Sequence, residues 1–175
     1  MNEVEWVKFQ EEQYANTRSG DSSSAPTILE MVGEGKFVLD CGIHGGGVTN
    51  EIAKKNRVIG TDLLKVVEKF RGQYSFEYVA CNACDLLFKD DVFDVVVAGD
   101  LIEHFMNPQR FLSEARRVLK KGGKLVIATP NGEHKAVTHC RFYTEETLRK
   151  ELSELFTIER IVVNNALIAL AEVKR

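Results

Sequence analysis

The stretch Phe37-Val-Leu-Asp-Cys-Gly-Ile-His-Gly-Gly-Gly47 decides how this chain folds. Residues 37–40 have the character of a buried strand, and they lead directly into a loop that contains four glycines. A helical pattern follows at once over residues 48–55. Glycine lets a backbone turn tightly and approach a ligand that larger side chains would repel. The order of strand, glycine-rich loop and helix therefore predicts a ligand-binding turn at the end of a strand.

Strands and helices alternate along the rest of the chain. Further strands are predicted at residues 57–61, 76–80, 93–98 and 124–129, and helices at residues 25–32, 48–55 and 64–70, from Pro108 onward and after Thr144. We expect Asn107 to cap the helix that begins at Pro108, and Gly122-Gly123 to stop it. The chain ends in two β-rich runs joined by Asn164-Asn165, a pair that tolerates the positive φ of a tight hairpin.

This alternation predicts the fold class. Strands that alternate with helices form a mostly parallel sheet covered on both faces, and the terminal hairpin adds an antiparallel strand. We therefore expect an α/β protein with a doubly wound, Rossmann-like sheet of seven strands and a C-terminal antiparallel hairpin. Ligands of such sheets bind outside the carboxyl ends of the strands. We divide the chain into an N-terminal helix and linker, residues 1–24, and a ligand-binding domain, residues 25–175.

Composition excludes several classes of protein. A length of 175 residues fits one compact domain, and four cysteines in a chain of that length do not form a disulfide framework. The first residues are acidic and lack a basic segment before an apolar run, so we expect no secretory signal and a cytoplasmic location. With a net charge of −3 and no isolated basic stripe, we expect neither nonspecific nucleic-acid binding nor a membrane partner.

Two carboxylates narrow the ligand class. Asp40 precedes Gly42 by two positions, where a pyrophosphate would gain nothing from a negative charge but a ligand with a sulfonium and an ammonium group would. Asp62 follows the second strand, about twenty residues after Gly42, where a carboxylate can accept hydrogen bonds from both ribose hydroxyls. A nicotinamide-dependent oxidoreductase remains an alternative, and Asp40 and the terminal hairpin count against it.

Four further segments carry a family resemblance. They are Asn82-Ala-Cys-Asp-Leu-Leu-Phe88, Phe93-Asp-Val-Val-Val-Ala-Gly-Asp-Leu-Ile-Glu-His104, Val118-Leu-Lys-Lys-Gly-Gly-Lys-Leu-Val-Ile-Ala-Thr-Pro-Asn131 and His139-Cys-Arg-Phe-Tyr-Thr144. Together with the glycine-rich loop and Asp62, in this order, they resemble the motifs of class I S-adenosylmethionine-dependent methyltransferases of the small, insertion-poor type. The resemblance runs over residues 25–173.

The resemblance implies S-adenosylmethionine as cofactor, S-adenosylhomocysteine as product, and a set of binding positions. These positions are Asp40, Gly42, His44, Gly46, Asp62, Leu63, Asn82, Ala83 and Asp100. The loop residues would shape the pocket for the methionine moiety, with Asp100 near the same end. Asp62 would hold the ribose, and Leu63 would lie against the adenine. The pair Asn82-Ala83 would meet the amino edge of the adenine.

The sequence departs from the family pattern at three positions. His44 stands where the family has its second glycine, so an imidazole enters a crowded loop, and on that ground His44→Gly should tighten cofactor binding. Asn82 replaces an aspartate, and so keeps an acceptor but loses its charge. Leu87 replaces a proline.

Transfer of a methyl group to a hydroxyl or amine requires a base near the acceptor. The candidate catalytic residues are His104, Glu103 and His139, with His104 the first choice and local packing the alternative reading. We expect an enzyme that methylates an oxygen or nitrogen of a small-molecule or protein acceptor. Trp6, Phe9 and Tyr14 would place a lid over the acceptor, or else pack a helix on the flank of the sheet.

Two alternative functions keep the same fold. One is a regulatory module that binds S-adenosylmethionine without turnover. The other is suggested by Asp100, Glu103, His104 and His139, which resemble the metal-ligand pattern of small-RNA 3′-terminal 2′-O-methyltransferases. A zinc set built from Cys81, Cys84 and the 139–140 pair is disfavoured because it would bridge the third and fifth strands, which are expected on opposite sides of the central strand and too far apart for one ion. The prediction is therefore a site without metal.

Overall fold

The computed structural model describes residues 2–16, 23–133 and 136–174, which leaves most of the linker predicted at residues 16–24 outside the described residues. The strands are β1 (Phe37–Cys41), β2 (Arg57–Asp62), β3 (Glu77–Ala80), β4 (Phe93–Gly99), β5 (Leu119–Pro130), β6 (Phe156–Val163) and β7 (Ala166–Val173). The helices are α1 (Glu3–Asn16), α2 (Ala25–Val32), α3 (Gly47–Ala53), α4 (Leu64–Phe70), α5 (Pro108–Val118) and α6 (Glu145–Ser153), with a 3₁₀ turn at Ile102–His104.

The seven strands form one sheet in the order β3-β2-β1-β4-β5-β7-β6. Neighbours from β3 to β5 pair in parallel, and β7 runs antiparallel to both β5 and β6. The predicted fold class is therefore confirmed. The chain moves outward from β1 through β2 to β3 and then returns to the other side with β4, so the switch point lies between β1 and β4. A crevice for a ligand opens there, at the carboxyl ends of these two strands.

The sheet is covered on both faces, and its central strand β4 is accordingly apolar at successive positions. Val95 and Val97 pack into one core cluster, with α2, while Val96 and Ala98 pack into the other, with α5. Alternate residues of a strand point to opposite faces, so an unbroken apolar run is required when helices cover both. This arrangement fixes β4 as the rigid element from which the 3₁₀ turn projects.

The end of α5 differs from the prediction. The helix stops at Val118, and the fully buried Leu119 already begins β5, so Gly122-Gly123 lies within the strand, where the register with β4 shifts. Burial of Leu119 in the core outweighs the glycine signal that predicted a longer helix. Asn107 precedes α5 but its side chain makes no capping hydrogen bond within the described part of the chain.

Two local predictions are confirmed at the C-terminal end. The side chain of Thr144 accepts a hydrogen bond from the Thr147 N–H, and the Thr147 hydroxyl oxygen accepts one from the Thr144 N–H, which forms a capping box for α6. The turn between β6 and β7 contains Asn164, whose side-chain oxygen accepts from the Ala166 N–H at 2.9 Å. Among the described residues, none of the helices combines the length and apolarity needed to cross a membrane.

Candidate functional site

A cavity of about 740 Å³ opens at the carboxyl ends of β1, β2 and β4. Its floor is formed by the loops that follow these strands, and α1 contributes Trp6, Gln10 and Tyr14 to its wall. The 3₁₀ turn after β4 brings Glu103 and His104 to the same space. The volume is that of a typical small-molecule site.

The glycine-rich loop is shaped by two left-handed glycines. Gly42 has φ +81, and its N–H donates to the Thr61 carbonyl at 2.8 Å. A Cβ at Gly42 would lie 3.1 Å from Leu101, and a Cβ at Gly46, with φ +76, would lie 2.7 Å from the ring of Tyr74. A side chain at either position would be both strained and crowded. Gly42 therefore forms a cradle on the cavity wall, whereas Gly46 shapes the loop from behind.

Asp40 lies below this loop and does not line the cavity. Its carboxyl is 5% exposed and accepts a hydrogen bond from the Thr49 hydroxyl at 2.8 Å. Burial, partly offset by this hydrogen bond, raises the pKa of Asp40 to about 7. A nearby cation would favour the ionised form, so the position suits a ligand with a positively charged group.

Asp62 ends β2 with its carboxylate at the cavity. One oxygen accepts from the His44 N–H at 2.8 Å and the other from the Leu63 N–H at 2.7 Å. Burial raises the pKa of Asp62 to about 6, although both hydrogen bonds favour the ionised form. Each carboxylate oxygen has a second lone pair, so the group can still accept hydrogen bonds from a ribose.

Seven of the nine predicted cofactor positions line the cavity, and Asp40 and Gly46 are the two that do not. The seven are Gly42, His44, Asp62, Leu63, Asn82, Ala83 and Asp100. The side-chain oxygen of Asn82 accepts from the Cys84 N–H at 2.9 Å, which holds the loop after β3 in a tight turn. Asp100 adopts φ +50 directly after β4 and is exposed.

Glu103 has a buried carboxyl with one oxygen unsatisfied. Its side chain is only 2% exposed, and one oxygen accepts from the Thr129 hydroxyl at 2.9 Å. The other, Oε1, finds no hydrogen-bond partner among the described residues and lies 4.0 Å from Nε2 of His104. Burial is the main cause that raises the pKa of Glu103 to about 8. The carboxyl is therefore mostly protonated at pH 7 and becomes a base just above it.

His104 is buried and engaged at both ring nitrogens. Nδ1 lies 2.7 Å from the Thr138 carbonyl, which assigns the ring proton to Nδ1, and Nε2 then accepts from the Tyr14 hydroxyl at 2.7 Å. Burial is the main cause that lowers the pKa of His104 to about 4. The ring is thus neutral at pH 7, and its contact with Glu103 is not an ion pair.

His139 forms a cluster with Glu103 and His104. Its ring packs edge-on against His104 with centroids 4.9 Å apart. Glu103, His104 and His139 each offer one ligand atom, and these atoms lie within 4.8 Å of one another. A carboxylate with two imidazoles is a donor set that transition metals such as zinc accept. The predicted catalytic residues are therefore brought together, and they also form a candidate metal site.

The position of α1 could not be read from the sequence. The indole N–H of Trp6 and the side-chain amide of Gln10 both donate to the His104 carbonyl, at 2.8 and 2.9 Å. The Tyr14 carbonyl lies 3.3 Å from Nε2 of His44, which also lines the cavity. These contacts join residues 30 to 98 positions apart, and no local pattern encodes them.

Comparisons with known proteins find related sequences. Residues 39–127 match the model of the methyltransferase domain family. Ubiquinone biosynthesis O-methyltransferase of Coxiella burnetii is 33% identical over 110 residues, which cover 59% of this chain and 47% of that protein. The chain spans about half the length of the curated relatives it matches.

Solved structures share the fold at low sequence identity. A SAM-dependent methyltransferase from Aquifex aeolicus superposes with a TM-score of 0.75 at 19% identity, over 99% of this chain and 100% of the other. The N-methyltransferase NodS from Bradyrhizobium japonicum, solved in complex with S-adenosyl-L-homocysteine, gives a TM-score of 0.74 at 15% identity, over 97% and 99% of the two chains.

Proposed function

This chain belongs to the methyltransferase domain family, and on that premise we propose that it transfers a methyl group from S-adenosylmethionine to an oxygen or nitrogen of an acceptor molecule. One observation carries the proposal. Asp62, which can accept hydrogen bonds from a ribose, and Glu103, whose buried Oε1 has no hydrogen-bond partner among the described residues, line the same cavity. A nucleoside cofactor and an acceptor can thus meet in one space.

The residues present fit the cofactor. Gly42 lines the cavity at a point where a Cβ would crowd Leu101, Asp62 offers acceptor lone pairs for the ribose, and Leu63 provides an apolar surface in the same cavity. The acids at positions 40 and 100 suit the positive charges of the methionine moiety. When bound, S-adenosylmethionine supplies a methyl group on a sulfonium, which is an efficient leaving group. A similar protein, NodS, is described with the product S-adenosyl-L-homocysteine.

We assign the base to Glu103, where the sequence favoured His104. Both nitrogens of His104 have hydrogen-bond partners, and its pKa of about 4 makes it a weak base. The Oε1 atom of Glu103 is buried at the cavity, and its pKa of about 8 makes the ionised carboxylate a stronger base than an ordinary glutamate. An acceptor hydroxyl, or a neutral amine that becomes positively charged as it takes the methyl group, would give its proton to Oε1.

His104 then has a supporting role in this mechanism. Because the Thr138 carbonyl holds the proton on Nδ1, the lone pair on Nε2 faces Tyr14 and the carboxyl of Glu103. A neutral imidazole at this position fills the space beside the carboxyl without adding a charge. It therefore helps keep the pKa of Glu103 raised.

A calorimetric titration tests the cofactor assignment. Purified protein should bind S-adenosylhomocysteine with a Kd in the micromolar range, on the order of −8 kcal/mol, and should not bind NAD. Saturable binding of NAD alone would favour an oxidoreductase instead. With binding established, transfer of a labelled methyl group to panels of phenols, amines and peptides tests for turnover, and detection of product excludes a purely regulatory module.

Glu103→Gln tests the base, with Glu154→Gln as the matched control because Glu154 is exposed. We expect Glu103→Gln to lower kcat at least 100-fold with little change in S-adenosylhomocysteine affinity, since general-base catalysis contributes about 10²–10⁴-fold. Wild-type activity should rise with pH and level off above about pH 8, where Glu103 is ionised. Full activity in Glu103→Gln would refute the assignment.

The cluster supports a second candidate, which is metal-assisted transfer. Glu103, His104 and His139 can hold a divalent ion, and the hydrogen bond from Nδ1 of His104 to a carbonyl is the orientation that metal-binding histidines adopt. A bound metal would polarise the acceptor oxygen there. Under this candidate, Zn²⁺ or Mn²⁺ raises the melting temperature of the wild type but not of His139→Asn. Equal melting temperatures with and without metal would exclude it.

A further inference from the structure

Tyr14 contacts two histidines that line the cavity, His44 and His104. Its hydroxyl lies 2.7 Å from Nε2 of His104, and its backbone carbonyl lies 3.3 Å from Nε2 of His44 in the glycine-rich loop. We propose that His44 is a positioning residue, which docks the last turn of α1 on the cofactor loop and so couples cofactor binding to closure of α1 over Glu103 and His104. This inference rests on the proposed function.

A histidine in the glycine-rich loop carries a conformational cost. His44 has φ +43, a left-handed conformation that costs a residue other than glycine about 1 kcal/mol or more. Such strain persists where surrounding contacts compensate for it. The ring of His44 packs edge-on against Phe70, with centroids 4.7 Å apart, and against Tyr14 at 5.9 Å. It therefore contacts α4 and α1 in addition to lining the cavity.

The C-terminal end of α1 offers backbone carbonyls as hydrogen-bond acceptors. Tyr14 lies in the last four residues of α1, whose carbonyls have no donor within the helix. The Nε2–H of His44 can donate to this carbonyl, so the ring stabilises the C-terminal end of α1. Burial lowers the pKa of His44, so the ring is neutral at pH 7. The neutral tautomer with its proton on Nε2 is the one that donates to the Tyr14 carbonyl. The sequence signal for the contact was the histidine at a position where the family has glycine.

The glycine-rich loop is connected to the group that would hold the ligand's ribose. The backbone N–H of His44 donates to the carboxylate of Asp62, the group that would hold the ribose. The Tyr74 hydroxyl also donates to the His44 carbonyl, at 2.6 Å. A cofactor that fixes Asp62 therefore also fixes the backbone of His44. The imidazole of His44 in turn holds the Tyr14 carbonyl at the end of α1.

The helix α1 lies over His104 and beside Glu103. Trp6 and Gln10 hold the helix on the His104 carbonyl, and Tyr14 holds its last turn on the imidazole. An acceptor that approaches Glu103 must pass this helix or displace it. Since coupling between two sites is reciprocal, closure of α1 must also strengthen cofactor binding by the same factor by which the cofactor favours closure.

The test uses the full chain and S-adenosylhomocysteine as probe, with hydrogen exchange of the α1 amides and fluorescence of Trp6, the single tryptophan, as readouts. In the wild type, the probe should slow exchange in α1 about fivefold and shift the emission of Trp6. His44→Asn tolerates the left-handed backbone but is too short to reach the Tyr14 carbonyl. We expect it to bind the probe about fivefold more weakly, the loss of one hydrogen bond, and to abolish the α1 response.

Two further variants separate positioning from general structure. His44→Gln carries a side-chain amide that can donate to the same carbonyl, so it should restore part of the α1 response. Tyr14→Phe keeps the backbone carbonyl that His44 contacts and loses only the hydroxyl contact with His104, so it should weaken probe binding less than His44→Asn does and should keep a measurable α1 response. The melting temperatures of the variants in the absence of probe show that each one folds.

The outcomes are distinct. Probe binding with an α1 response equal in the wild type and in His44→Asn overturns the coupling and leaves the proposed function intact. Probe binding by the wild type with no α1 response does the same. Tighter binding by His44→Asn or by His44→Gly, as crowding of the loop would predict, also overturns it. Failure of the folded wild type to bind the probe overturns the proposed function, and the coupling with it.

Discussion

Replacing Glu103 by Gln should stabilise the protein against unfolding at neutral pH while removing the base for methyl transfer. The carboxyl is buried with a raised pKa, so the folded state holds its proton more tightly than the unfolded state does. Stability conferred by this proton is complete below pH 4.5, the ordinary pKa, and is lost as the pH rises toward the folded value of about 8. Glutamine has no titratable proton, so the Glu103→Gln variant does not lose stability in this way as the pH rises.

The magnitude follows from the two pKa values. Because the pKa moves from 4.5 in the unfolded state to about 8 in the folded state, the wild type loses roughly 3 kcal/mol of stability by pH 7 and about 5 kcal/mol above pH 9, relative to its stability below pH 4.5. These are upper estimates, since the amide of a glutamine would leave N–H groups facing the space now next to Oε1, at a cost of about 1–3 kcal/mol at all pH values. The variant therefore gains stability relative to the wild type as the pH rises, whatever this constant offset is.

The assay is urea unfolding of the wild type, Glu103→Gln and Glu154→Gln at pH 5, 7 and 8.5. The quantity of interest is the difference in free energy of unfolding between variant and wild type. Other buried acids, such as Asp40 and Asp62, titrate in all three proteins and cancel in that difference. We expect a slope for Glu103→Gln and a flat line for Glu154→Gln. A flat line for Glu103→Gln would show that the pKa of Glu103 is not raised, and the argument for it as base would fail.

Three further predictions concern the cofactor subsite and a remote control. Gly42→Ala should lower the free energy of unfolding by about 1–2 kcal/mol through its positive φ and should also weaken S-adenosylhomocysteine binding, because the new Cβ lies 3.1 Å from Leu101 and so displaces a side chain of the cavity wall; Gly33→Ala, with a similar φ and open space, should show the first effect without the second in the same titrations. Asp62→Asn should weaken S-adenosylhomocysteine binding at least tenfold by calorimetry, since an amide nitrogen replaces an acceptor that holds the loop; an unchanged Kd would remove Asp62 from the site. Thr144→Ala should cost about 1 kcal/mol in urea unfolding through loss of the α6 cap and leave binding unaltered, and a changed Kd would show that the two regions are coupled.

The fold could be predicted because its signals are local. The apolar run of residues 93–98 requires a strand covered on both faces, and Asn164-Asn165 marks the final hairpin, so the order of elements constrains the sheet. The end of α5 was misplaced because burial of Leu119 is a tertiary effect, which propensities do not contain. Glycine after a helical run was the stronger local signal there.

The site could be predicted in its membership but not in its roles. Glu103 and His104 are adjacent in sequence, and their letters alone do not say which is the base. The choice depends on Thr138 and Tyr14, which occupy the ring nitrogens of His104 from segments 34 and 90 residues away. The same holds for His44, whose partner in α1 lies 30 residues earlier. Sequence patterns place such residues near a cavity, and only long-range contacts assign their protons.

The three buried acids at positions 40, 62 and 103 imply that ligand binding moves protons. Their pKa values of about 7, 6 and 8 leave them partly protonated near neutral pH. A positively charged ligand stabilises their ionised forms, so it should release protons to the buffer and bind more tightly as the pH rises through this range. S-adenosylmethionine carries the sulfonium charge that S-adenosylhomocysteine lacks. The preference for S-adenosylmethionine over S-adenosylhomocysteine should therefore increase with pH. At higher pH, fresh substrate would displace the product more readily after each transfer.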